Sequence, residues 1–479
     1  MYTLDNFEHK GEWWLPEDPE NKIKGVFKFI KDKGFILELM GAFKKDLNDN
    51  KYSAPEIILG LVDSGKITLH NCYISRFSMS NLLNITNYSV NLSFLGYHFE
   101  KKEDICFKKI DVHYSNSNDW INISGLDVKY LSNSTIATYT RPEPIKLNIN
   151  NNLTISISIR SAVNERKNKI QLKETSYIQF EFNEELPFED CIKYVIHLRN
   201  FLSIGTGNLI YPIHVNGETK LNMHKYGNEF YYDSIKIYGL FNFNIKLVDV
   251  IFPNMPFNYQ DPWISSHLEE ILKKWFKMTE YLEPTYLGYF QTIYDRPNHA
   301  TQLFLALAQS LESYHKYSKM DYSGKYFDKR KPYKKNVYAP IRNFINEDMA
   351  LNNFINEQLD ANNAYNLKKD LKERIRFGNE AFLSKKLTEI IEINSDCLDL
   401  VIHDKDYFIE KIKCTRDYLT HFSENQKECS LKGDELIEMC FKLQLIMEML
   451  LLKEIDFKSH IISNLIKSRR HNNKLVIYE

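Results

Sequence analysis

The apolar residues of this 479-residue chain change their period once, from two in the first half to about 3.6 in the second. That switch limits the fold more than any other feature. In the first half, Ile155-Ser-Ile157-Ser-Ile159 alternates, and Ile178, Phe180 and Phe182 share one face of a second alternating run. Lys24 to Leu39 (broken near Gly34), Ile67 to Tyr73, Ile105 to Tyr114 and Phe230 to Phe252 read as further strands. Turn-forming runs such as Asp63-Ser-Gly65 separate them. One helix is expected among them, from Pro187 to near Ser203, with Gly205 and Gly207 supplying a stop.

Pro253-Asn-Met-Pro256 through Asp261-Pro262 marks the change, so two domains are expected, 1–255 and 256–479. Beyond it, Trp263 to Leu282, Asn298 to Lys319, Ala364 to Ile393, Lys405 to Phe422 and Asp434 to Ile455 carry amphipathic helical spacing. Asp434 is a natural N-cap for the last, because a carboxylate there accepts orphan backbone N–H groups. Its apolar face, from Leu436 to Leu450, reads as bundle core and in part as a dimer contact. The expected class is therefore α+β and multidomain: a β-rich, antiparallel, sandwich-like half followed by an all-α bundle.

A formal net charge of −1 neither supports nor excludes a nucleic-acid partner. The polar start, Met1 to Gly11, lacks the apolar core of an export signal, and no run approaches a membrane span. A cytoplasmic protein that makes no membrane contact is expected. The seven cysteines are scattered with no CxxC pair, so neither a disulfide framework nor a zinc site is expected.

Chemistry concentrates in Arg416-Asp417-Tyr418-Leu419-Thr420-His421. RNA cleavage without a metal needs a base for the ribose 2′-OH, an acid for the leaving 5′-oxygen and a cation for the phosphorane. Histidine titrates near neutrality, and arginine grips phosphate with a bidentate fork. Five helical residues turn about 500°, so the two side chains would lie roughly 140° apart unless a helix end intervenes. A symmetric dimer would bring a second Arg–His set alongside and supply the missing acid or base.

Arg416-Asp417-x-x-x-His421 resembles the Arg-x4–6-His signature of HEPN ribonucleases. The Gly11-Glu-Trp13-Trp14-Leu15-Pro16 opening, Leu95-Gly-Tyr-His98-Phe99 and Trp120 resemble the N-terminal domain of the ApeA family. Leu311-Glu312-Ser-Tyr-His315 and the Arg416–Phe422 block resemble its C-terminal HEPN part. The resemblance spans nearly the whole chain. It implies a ribonuclease toxin acting in bacterial antiviral defence by abortive infection, with a phage-derived trigger and a regulatory β-rich half. It carries Arg416 and His421 over as catalytic and Asp417 as the polar position beside them; no cofactor or metal is implied.

Glu312 and His315 lie three apart on an expected helix and share a face, suiting a supporting role beside the pair or a structural one. His403-x-Lys405 with Glu410 imitates a phosphodiesterase motif, but Glu stands where Asp is required and there is one copy, so it reads as coincidence. Between Lys316 and Tyr338, Lys329, Arg330, Lys331, Lys334 and Lys335 alternate with tyrosines. This arrangement suits single-stranded RNA, such as transfer or messenger RNA, though a solvated loop explains it too. Trp13, Trp14 and Trp120 fit a ligand groove, and core packing explains them as well or better. The competing reading of the whole is a non-catalytic, dimeric RNA- or protein-binding sensor.

Overall fold

The computed structural model describes residues 6–31, 33–43, 55–78, 84–227, 229–239, 254–295, 297, 299–318, 333–376, 378, 381–422 and 424–471. The chain divides into two compact units, Met1–Phe276 and Lys277–Glu479.

The first unit is built on one large antiparallel sheet. Its early strands are β1 (Phe7–Leu15), β2 (Asp18–Ile30), β3 (Gly34–Leu39), β4 (Ile57–Val62), β5 (Gly65–Ser78) and β6 (Ile85–Leu95). Hydrogen bonding runs in the order β6-β3-β2-β1-β4-β5, and β5 then pairs back onto β6, closing a six-stranded barrel. Alternation drives the closure. In β2, Phe27 and Phe29 point inward while Lys24 and Lys28 point outward. The barrel interior gathers Trp13, Phe27, Phe29, Phe35, Leu37, Ile58, Leu69 and Tyr88, all buried. Trp13 is thus core and lines no groove. Its ring lies flat against the backbone of β4, so a Cβ built on Gly60 would stand 2.4 Å from Trp13 ring carbons. Gly60→Ala should therefore destabilise this unit by about 1–3 kcal/mol. A chemical-denaturation curve that does not move would refute this close packing.

Beyond the barrel the same sheet continues as an open layer. Its strands are β7 (Cys106–Tyr114), β10 (Ile145–Asn148), β11 (Leu153–Arg166), β12 (Lys169–Pro187), β13 (Pro212–Glu218) and β16 (Ile235–Tyr238). β6 pairs with β16, and the order then runs β13-β7-β12-β11-β10. Two separate hairpins, β8 (Leu126–Tyr130) with β9 (Thr135–Tyr139) and β14 (Met223–Tyr226) with β15 (Glu229–Tyr232), complete the strands. The expected strand reaching Phe252 is represented by β15 and β16; residues 240–253 lie outside the described residues. The Phe188–Thr206 helix packs on β7 and β12 through Phe188, Cys191, Val195 and Leu198, and ends where Gly207 takes φ 68°. Trp120 is buried against Phe201 of that helix.

The second unit is helical. Its principal helices are Glu283–Tyr294, Ala300–Tyr317, Ala339–Glu347, Met349–Gln358, Ala361–Arg376, Leu383–Ile393, Lys405–His421, Gly433–Glu454 and Ser459–His471. Gly433–Glu454 forms the hub: Leu443, Ile446, Met447, Leu450 and Leu451 are buried, and it packs on Ala300–Tyr317. Buried Glu448 on this helix accepts a hydrogen bond from Tyr289 Oη at 2.7 Å, which compensates the cost of its burial.

Two helical expectations are corrected. Ala364 to Ile393 is not one helix; the chain breaks after Arg376, with Gly378 in the break, and resumes at Leu383. Asp434 is not the N-cap. Lys432 holds that place and Asp434 sits in the first turn, where its charge opposes the positive end of the helix dipole instead of accepting a cap hydrogen bond. No helix among the described residues is long and apolar enough to cross a membrane.

Candidate active site

The helices Ala300–Tyr317, Leu383–Ile393 and Lys405–His421 pack against one another pairwise, and each contributes charge to their junction. Lys405–His421 starts at Asp404, whose carboxylate accepts from Tyr407 N at 2.9 Å, and runs through Arg416 and Asp417. The guanidinium of Arg416 is held from two sides. Its Nη1 donates to Asp417 Oδ1 at 3.0 Å, and its Nη2 lies 3.5 Å from Glu312 Oε1. The other oxygen of Glu312 lies 3.6 Å from Lys386 Nζ, so one carboxylate joins two cations from different helices. Asp417 Oδ2 in turn accepts from Gln426 Nε2 at 3.4 Å. Arg416 retains 34% of its side-chain surface, which leaves donors free to meet an anion arriving from solvent.

Beneath this row, His315 Nε2 hydrogen-bonds Glu389 Oε2 at 2.8 Å, with 1% and 10% of the two side chains exposed. Glu312 and His315 do share a helix, but they act at different depths. Glu312 reaches Arg416, whereas His315 faces a buried carboxylate. Such a dyad joins the first two helices of the junction and gives the Glu312 face a fixed position.

His421 is the last residue of its helix and is exposed. No hydrogen bond or ion pair to it, from Arg416 or any other group, exists among the described residues. Phe422 follows as the C-cap with φ 52° and ψ 34°, its N–H donating to Tyr418 O at 2.7 Å. The chain then returns along the helix and is tied to it by a disulfide between Cys414 and Cys429, with Cα atoms 6.0 Å apart. This overturns the expectation that no cysteines pair. The reason is topological: a reversal just past His421 brings together two residues whose spacing of 15 carries no signature. Leu431 N donates to buried Thr415 Oγ1 at 2.9 Å and fastens the same return. The five remaining cysteines are free.

Of the basic stretch, Lys329, Arg330 and Lys331 lie outside the described residues. Lys334 and Lys335 are exposed on the helical turn Lys334–Tyr338. His403 and Glu410 are exposed and separate from the junction's ion pairs. No group of three or more His, Cys, Asp or Glu among the described residues could hold a metal ion. A cleft of about 400 Å³ between Glu283–Tyr294 and Ala300–Tyr317 is lined by Gln291, Asp295, Gln302, Gln309 and Ser313 among others, and by none of the residues above.

The sequence reading missed Lys386, Glu389 and Gln426, whose roles arise only from helix packing. It also missed a polar network in the first unit, where Arg160 Nη1 lies 2.6 Å from the buried Asp111 Oδ2 and stacks over Tyr177 at 4.1 Å. Nearby His113 faces Ser176 O at 2.9 Å, and burial pushes its pKa down to about 4. That imidazole is neutral at physiological pH, so it braces the sheet and carries no proton for chemistry.

The family model for ApeA N-terminal domain 1 matches residues 8–275, and that for Apea-like HEPN matches residues 305–460. The first match alone takes in more than half of the chain. The second contains Glu312, His315, Arg416, Asp417 and His421. No curated protein and no solved structure matches the chain.

Proposed function

The chain belongs to the ApeA family and carries an Apea-like HEPN domain, and on that premise we propose that it is a metal-independent endoribonuclease of antiphage defence. The observation that supports this most is the clamp on Arg416. A guanidinium gripped by Asp417 at 3.0 Å and Glu312 at 3.5 Å, yet open to solvent, is preorganised for a phosphate. His421, at the end of the same helix and exposed, supplies an imidazole.

In this reading a base removes the 2′-OH proton of the substrate ribose and the freed oxygen attacks phosphorus. The P–O5′ bond breaks, and an acid delivers a proton to the departing 5′-oxygen. The products are a 2′,3′-cyclic phosphate and a 5′-hydroxyl. His421 serves as base or acid, and the His421 of a second copy takes the other role in a homodimer. Arg416 neutralises charge on the phosphorane, and Glu312, Asp417 and the His315–Glu389 dyad position it. Single-stranded segments of transfer or messenger RNA are the substrate class, with Lys329, Arg330, Lys331, Lys334 and Lys335 gripping the backbone. Residues 256–479 thus carry catalysis in a cytoplasmic toxin, and residues 1–255 restrain it until a phage-derived trigger arrives.

The test is end-sequencing of RNA from cells expressing the wild type or His421→Ala, with purified protein assayed in EDTA. New cyclic-phosphate ends should appear with the wild type alone and survive chelation. Growth arrest that is equal for wild type, Arg416→Ala and His421→Ala would favour a non-catalytic binding module instead.

A further inference from the structure

Phe422 combines two features that folding alone disfavours. It is a bulky residue at φ 52°, in the left-handed region where helix caps are normally Gly or Asn. It is also 73% exposed, so its ring gains little from packing; the edge of Tyr418 meets it with centroids 6.3 Å apart. Asparagine at this cap would serve the backbone better and leave no apolar surface in water. A conformation that is over-determined by its surroundings and presents an aromatic face beside chemistry-bearing groups is where function is expected.

We propose that Phe422 is a stacking platform for a nucleobase of single-stranded RNA next to the scissile phosphate. The inference rests on the nuclease reading of Arg416 and His421 and extends it to substrate positioning. Phe422 directly follows His421, and the clamped guanidinium lies on the preceding turns of the same helix. An unstacked base flanking a phosphate held there would find an aromatic face at the end of the same helix. The surroundings favour a base over a second protein surface. Thr420, His421, Glu424, Asn425, Lys427 and Glu428, its neighbours in sequence, are all polar and exposed, whereas the centre of a subunit contact is depleted of charge. Because every base has a π-face, the contact would raise affinity without strict sequence choice.

The experiment compares full-length wild type, Phe422→Asn and Phe422→Tyr on short single-stranded RNAs carrying 2-aminopurine at successive positions. Asparagine suits the left-handed cap and removes the ring, and tyrosine keeps the ring. Phe422→Asn should raise KM roughly tenfold with kcat within about twofold. It should also abolish the 2-aminopurine quenching that wild type and Phe422→Tyr produce at one position, with the melting temperature equal or higher. Quenching is also read in the His421→Ala background, where no cutting is expected. RNA that is cut with KM and quenching indifferent to Phe422 overturns this proposal and leaves the nuclease reading intact. Phe422-dependent quenching without any cleavage by wild type does the reverse. Conversion of Phe422→Asn to a monomer in sedimentation would assign the ring to a subunit contact and overturn the platform.

Discussion

On the proposed chemistry, Arg416→Ala should lower RNA cleavage by roughly a thousandfold while barely moving the melting temperature. The first half of this expectation follows from charge. Removing one preorganised donor from a developing oxyanion costs about 10²–10³ in rate, and a full guanidinium facing a dianionic phosphorane belongs at the upper end. The second half follows from the surroundings. Arg416 is 34% exposed, and its ion pairs are of the partly solvated kind that contribute at most about 1 kcal/mol. Neither carboxylate is orphaned by its loss, because Glu312 keeps Lys386 and Asp417 keeps Gln426. Arg416→Lys retains the charge but not the fork that meets two acceptors at once, and should recover only a small part of the rate. Glu312→Gln should fall between, through a guanidinium held on one side only. Single-turnover kinetics with thermal denaturation on the same samples decides the matter. Wild-type cleavage by Arg416→Ala would remove this residue from the chemistry.

Reduction of the Cys414–Cys429 bond should destabilise the helical unit by about 3 kcal/mol, the chain-entropy value for a loop near fifteen residues. For a unit of this size that corresponds to a melting temperature lower by roughly 6–12 °C. Calorimetry with and without dithiothreitol reads the effect, and Cys414→Ser/Cys429→Ser should melt low under both conditions. Thiol titration of the unfolded, unreduced protein should find five groups, not seven. Seven, together with a transition indifferent to dithiothreitol, would disprove the bond. Activity should suffer as well, because Arg416, Asp417 and His421 all lie inside the closed loop and Gln426 reaches Asp417 from its far side.

Local patterns carried much of the fold. Alternation in Ile155–Ile159 and Ile178–Phe182 identified strands β11 and β12, and helical spacing from Lys405 onward identified a helix whose observed end lies one residue from the expected one. What stayed hidden was pairing between distant segments. Nothing in β5 says that it will hydrogen-bond β6 as well as β4 and so close a barrel. At the site, the Arg416–His421 spacing and the Glu312-x-x-His315 pair were legible because each lies within one helix. The contact of Glu312 with Arg416, the link to Lys386, the Glu389 partner of His315 and the disulfide require the packed bundle. Asp434 shows the opposite failure. A residue with the right chemistry for a cap was displaced when Gly433 joined the helix ahead of it.

Because β5 pairs back onto β6, the strand order of the large sheet ends at one border in β10 and at the other in the closed barrel. The β10 border is only four residues long, and the carboxylate of Glu269 occupies its Asn148 amide at 2.9 Å. Strands left open recruit other strands, so a protein of this strand content would ordinarily be prone to self-templating when crowded. At β10 the surface available for such recruitment is short and partly capped. A longer or uncapped β10 would lengthen the edge on which another strand could add.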